Sequence, residues 1–233
     1  MYMLWKRKKW ILVALIIILS GAAAESVWGL SSLWKVSAQK EIIIVVDAGH
    51  GGIDPGAVTE MAVEKDLNLQ IAQKLQGYLE EAGYLVTMTR WEDAGLYEAE
   101  DTNKKRADMQ KRSEIIEESE AALMISIHQN AYPDSQYWGP QVFFQKQSPE
   151  SAAFGLLVQE ALNTFTAPEN TREAKANDSY YILQHSSMPA ILVECGFITN
   201  SQDAENLQDE TYQKKVAWAI YCGIEKYLQS GGF

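Results

Sequence analysis

Three short apolar runs, residues 42–46, 123–127 and 190–193, lead into an imidazole or an acid: His50 follows the first, His128 the second and Glu194 the third. A strand with no polar alternation has both faces covered, which marks a sheet packed between layers of helices rather than a half-wet one. Segments near 84–89 and 141–145 supply two more strands, and helical spacing marks 63–82, 103–119, 149–165 and 209–229. This alternation predicts an α/β fold with three layers, a mostly parallel, mixed and twisted sheet covered by helices on both faces. Ligands in such sheets bind beyond the carboxyl ends of the strands, where His50, His128 and Glu194 fall.

The chain contains three histidines. A catalytic zinc takes three protein ligands from His, Asp or Glu and keeps one position open for water. His50 lies among Gly49, Gly51 and Gly52, which allow backbone angles and close approaches suited to wrapping a metal. Glu64 opens a segment in which Leu67, Ile71, Leu75, Tyr78, Leu79 and Ala82 recur at helical spacing. There it serves either as a third ligand or as a plain acid at a helix start. Glu194 ends a buried strand, where a carboxylate is expensive unless paired or used. It is a general base, or a structural acid paired with a group such as Arg112.

Four ordered motifs then resemble the N-acetylmuramoyl-L-alanine amidases of the type 3 family over roughly residues 41 to 228. His50 falls in D-x-G-H-G-G-x-D-x-G-A, Glu64 in E-K-x-x-N/T-L, His128 in S-I-H-x-N and Glu194 in V-E-x-G-F-x-x-N. The resemblance implies Zn2+ held by His50, Glu64 and His128, with Glu194 catalytic, and a three-layer α/β catalytic domain over 41–233. It implies cleavage of the amide between N-acetylmuramic acid and L-alanine, with the peptidoglycan glycan strand and stem peptide as partners. The short layout and the stretch around residues 170–183 are most similar to the sporulation branch. That likeness implies spore cortex maturation and muramic-δ-lactam formation. Three positions depart from the pattern: Ala48 where proline is usual, Gln129 where many members have a small or aliphatic residue, and Cys195 for an aliphatic. None of these removes a ligand.

Residues 1–24 combine the basic cluster Lys6, Arg7, Lys8 and Lys9 with an apolar run, and read as a signal peptide or an N-terminal membrane anchor. Residues 25–40, with Trp28 and Trp34, read as a juxtamembrane linker. The chain is therefore expected to be exported, anchored or secreted, and on the sporulation resemblance to work in the forespore intermembrane space. Residues 41–233 carry fourteen Lys+Arg against thirty Asp+Glu, a net charge of −16. Such a body repels polyanions, which excludes nucleic acid and leaves localisation to the N-terminal segment or to a recruiting protein partner. Cys195 and Cys222 are read as small buried hydrophobes rather than a disulfide.

The segments 90–103 and 131–139 are expected to rim the cleft, with Asn130 and His185 as substrate-binding residues. Two alternatives stand beside the amidase reading. One is a zinc carboxypeptidase or endopeptidase of stem peptides, since the same water chemistry serves any amide. The other is a partner-dependent assembly protein whose zinc is structural and closed by a fourth ligand such as His185.

Overall fold

The computed structural model describes residues 41–231. The segments read as signal or anchor (1–24) and as linker (25–40) lie outside the described residues. Among the described residues, no helix is long and apolar enough to cross a membrane.

In chain order the elements are β1 (Ile43–Ala48), α1 (Glu64–Glu81), β2 (Leu85–Met88), α2 (Lys104–Glu118), β3 (Leu123–Asn130), β4 (Gln141–Gln145) and α3 (Pro149–Phe165). They continue with β5 (Lys175–Asn177), α4 (Tyr181–Gln184), β6 (Ala190–Phe197), α5 (Ser201–Gln208) and α6 (Glu210–Gln229). The six strands form one sheet in the order β2-β1-β3-β6-β4-β5. Every pairing is parallel except β4 with β6. The expected mixed, mostly parallel sheet is therefore present. All five strands and four helices read from the sequence form, and β5, α4 and α5 are additions. These three are too short to show a period.

The two faces of the sheet carry different loads. Ile44, Val46 and Ala48 of β1, Leu123, Ile125 and Ile127 of β3, and Ile191 and Val193 of β6 belong to one core with Leu67, Ile71 and Leu75 of α1, Phe154 and Val158 of α3, and Ile220 and Ile224 of α6. Each of the Val, Leu, Ile and Phe side chains among them, fully buried, stabilises the fold by about 1.5–3 kcal/mol over its exposed state. The opposite face holds a smaller cluster: Val45, Met124 and Leu192 pack with Ile116 of α2 and Ile182 and Leu183 of α4. Beyond it toward the strand ends, the same face turns polar with Asp47, Ser126, His128 and Glu194, following the two-residue alternation of a strand.

Local signals start and stop the helices. Asn103 caps α2 by accepting from Arg106 N, Ser148 caps α3 ahead of Pro149, and Asp209 caps α6. After α1, Gly83 at φ 92° turns the chain into β2.

Candidate metal centre

Three side chains from three elements converge at the carboxyl ends of β1 and β3. His50 sits on the loop after β1 and His128 at the end of β3, while Glu64 opens α1 and reaches across from the other layer. Glu64 Oε1 lies 2.9 Å from His128 Nδ1 and 3.2 Å from His50 Nε2. One donor atom from each of the three lies within 4.8 Å of the others. The imidazole rings meet edge to face, with centroids 4.9 Å apart. Two imidazole nitrogens and one carboxylate oxygen, half-sheltered around a common point, fit a divalent transition metal.

The backbone around the site is shaped for this convergence. His50 has φ 61°, a left-handed conformation uncommon outside glycine and concentrated at functional sites. A Cβ on Gly49 would stand 2.2 Å from His128 Nε2. Only glycine lets that ring lie against the loop.

Neighbouring groups orient the three residues. His50 Nδ1 lies 3.0 Å from Asp54 Oδ2, which turns Nε2 toward Glu64. Glu64 Oε2 accepts from Ala57 N at 2.8 Å, and Oε1 accepts from Gln129 N at 3.2 Å. Burial works against charge at His50, yet Glu64 and Asp54 raise it above its ordinary value. Burial likewise raises Glu64, but bonds to His128 and His50 outweigh this and hold its carboxyl well below the usual range. These shifts belong to a cluster of negative charge drawing positive charge to its centre.

Two buried arginines brace the loop that carries His50. Arg112 of α2 donates from Nη1 to Asp47 Oδ1 and to Ala48 O, both at 2.7 Å, and from Nη2 to His50 O at 2.5 Å; its Nε binds Asp108 Oδ2 at 2.6 Å. Arg90 donates to Ala48 O, Gly49 O and Lys65 O. No period or motif in the sequence marks either arginine as a brace for this loop. A pairing of Arg112 with Glu194, weighed from the sequence, is not what forms: Arg112 is satisfied by two aspartates and the loop carbonyls.

Glu194 of β6 is the ladder partner of His128 on β3. It is 6% exposed; Oε1 accepts from Tyr180 Oη at 3.2 Å, and Oε2 has no partner among the described residues. Burial, with Glu64 adding to it, pushes its carboxyl up to about 7 against the opposing pull of His128 and Tyr180. Burial and Glu194 hold the Tyr180 phenol well above its usual value, so it stays protonated and donates. A buried carboxylate poised near neutrality beside a metal-ligand cluster has the properties of a general base.

These groups line a cavity of about 290 Å3, and Asn130 lies on its wall. His185 lies elsewhere: it stacks on Tyr181 at 3.9 Å, Nδ1 donates to Tyr181 O at 2.8 Å, and it lines a neighbouring groove. It therefore does not close the cluster as a fourth ligand. The segment 131–139 touches the cavity only through Ala131, since Tyr132 packs on Tyr137 and Tyr137 on Phe197. Segment 90–103 instead supports the His50 loop, with Asp93 Oδ1 accepting from Gly52 N at 2.8 Å. Asp54 and Tyr180 were missed as site residues, although both stand inside sequence stretches that mark the family. Cys195 and Cys222 are free thiols.

A parallel-sheet edge with two histidines, a glutamate and a second, unpartnered buried glutamate is the layout of a metallohydrolase. The family model for N-acetylmuramoyl-L-alanine amidase matches residues 44–226. The chain belongs to that family, and within it is CwlD-like. It is 39% identical to the germination-specific N-acetylmuramoyl-L-alanine amidase of Bacillus subtilis over 194 residues, 82% of this chain and 81% of the relative. It superposes with a TM-score of 0.80 and 42% identity on the CwlD amidase of Clostridioides difficile, solved in complex with the GerS lipoprotein; the match covers 82% of this chain and all of that one. An N-acetylmuramoyl-L-alanine amidase of Clostridium difficile 630 follows at a TM-score of 0.73 and 28% identity, covering 82% and 99%.

Proposed function

We propose that this protein hydrolyses the amide between N-acetylmuramic acid and the L-alanine of peptidoglycan stem peptides, with Zn2+ that His50, Glu64 and His128 would hold. The observation that carries this is the unpartnered Glu194 Oε2, buried on the same ladder rung as His128. Zinc in such a ligand set supplies a Lewis acid that polarises the amide carbonyl and acidifies water. The chain's own residues do the rest. Glu194 Oε2 takes a proton from water as its oxygen bonds to the carbonyl carbon, then delivers that proton to the departing nitrogen. The carbon–nitrogen bond breaks, leaving a carboxyl on the lactyl group and a free amino-terminal alanine. Tyr180 donates to Oε1 and leaves Oε2 free, Asp54 holds the His50 tautomer, and Asn130 on the cavity wall contacts the substrate's polar groups.

We infer that the work is done outside the cytoplasmic membrane during spore cortex maturation, ahead of muramic-δ-lactam formation. Residues 1–24 direct export or anchoring, residues 25–40 link to the catalytic domain 41–233, and the place of action is the forespore intermembrane space. The net charge of −16 and the likeness to an amidase solved with a lipoprotein support recruitment by a protein partner.

The test is mass spectrometry of the products made from purified peptidoglycan by the zinc-loaded chain and by Glu194→Gln. Stem peptides beginning with L-alanine are expected, with the variant slower by about 10²–10⁴-fold at unchanged zinc content. Other new amino termini would make the protein a peptidase, and equal turnover by the variant would remove Glu194 from the chemistry.

A further inference from the structure

Against the metal cavity lies a second groove of about 570 Å3, lined by Lys105, Arg106, Met109, Tyr181 and His185 among others. Lys105, Met109 and Tyr181 line both spaces, so the two adjoin. Their charge differs. The metal cavity mixes five carboxylates, from Asp47, Asp54, Glu64, Asp108 and Glu194, with Arg112, Lys105 and two histidines, whereas the groove has Lys105 and Arg106 and no carboxylate. A domain of net charge −16 thus keeps a local basic channel leading away from its metal site.

Arg106 is exposed and has no ion-pair partner among the described residues; its backbone N–H alone is engaged, by Asn103. His185 spends Nδ1 on Tyr181 O and stacks flat on that ring, which fixes the direction of its remaining Nε2. Lys105 Nζ lies 3.2 Å from Asp54 Oδ2, the same oxygen that lies 3.0 Å from His50 Nδ1. The groove therefore begins one charged contact away from a metal ligand.

We propose that this groove, through Arg106 and Lys105, is the subsite for the carboxylates of the stem peptide. The inference rests on the amidase reading and deepens it. Attack at the amide places the alanine end of the peptide at the metal cavity, and carboxylates further along the peptide lie about 3.5 Å away per residue. In the cavity Arg112 is already paired with Asp47 and Asp108, whereas Arg106 in the groove has no ion-pair partner among the described residues, so a free carboxylate is drawn to the groove and the substrate lies with glycan on one side and peptide along the first turn of α2. Arg106 supplies the planar fork that pairs with a carboxylate in two places at once.

The test separates binding from turnover. A soluble muramoyl peptide with free carboxylates and its analogue with every carboxylate converted to carboxamide are titrated into the zinc-loaded full chain carrying Glu194→Gln. The acid form is expected to bind about tenfold or more tightly at low salt, and the preference to fall within twofold when Arg106→Glu is added and at 1 M salt, where screening is nearly complete. Equal affinity for the two peptides, or a preference that survives both Arg106→Glu and Lys105→Ala, would overturn the proposal. Failure of the unmodified enzyme to cleave either peptide would count against the amidase reading and leave the binding result standing on its own.

Discussion

A methyl group at Gly56 would stand 2.5 Å from Glu64 Oε2 and 2.7 Å from His50 Cδ2, on a backbone at φ 67° that already disfavours any side chain. Gly83, at φ 92°, has nothing within 4 Å of the same construction. The pair separates backbone strain from site geometry. Gly83→Ala is expected to cost about 1–2 kcal/mol of stability and leave zinc affinity unchanged. Gly56→Ala is expected to lower zinc affinity by about 10–100-fold in addition, the range for disturbed groups behind metal ligands. Chelator competition reads the difference, and equal affinity in the two variants would show that the loop yields without moving Glu64.

The contact between α2 and the end of β1 holds the loop that holds His50. Burial raises the Asp47 carboxyl, but Arg112, helped by the Ser126 and Thr89 hydroxyls, wins and holds it at about 2. Because this lies below its unfolded value of 3.8, the unfolded chain binds the extra proton. The pair's contribution, about 2 kcal/mol, is therefore complete above pH 4 and lost as pH falls through 2. Denaturant unfolding should show the gap between the unmodified chain and Asp47→Asn closing over that window. Arg112→Ala strands two buried carboxylates and should cost about 3–5 kcal/mol at neutral pH. Helix α2 also shows why legibility was uneven. Its extent was readable from spacing, but its buried residues Asp108 and Arg112 carry no apolar signal. His50, His128 and Glu194 were legible because apolar strands pointed at them. Tyr180 and Asp54 act through contacts that only the folded chain creates.

For the molecule as a whole, a metal held by His50, Glu64 and His128 would tie the β1 loop, α1 and β3 together at one point. A ligand that binds only the folded state at a thousandfold over its Kd stabilises by about 4 kcal/mol. For a domain of this size, chelation should therefore lower Tm by about 10 °C. His50→Ala should show little further shift on chelation. A large residual shift would place the stabilising metal elsewhere. The pairing of His128 with Glu194 across two parallel strands has a separate consequence. Their spacing is that of the sheet itself, roughly 4.8 Å from backbone to backbone. It is a ruler shared with other parallel sheets rather than a product of surrounding side chains. Loops and helices can diverge around it without altering the interval between His128 and Glu194, and the same one-rung pairing is portable to a designed parallel sheet.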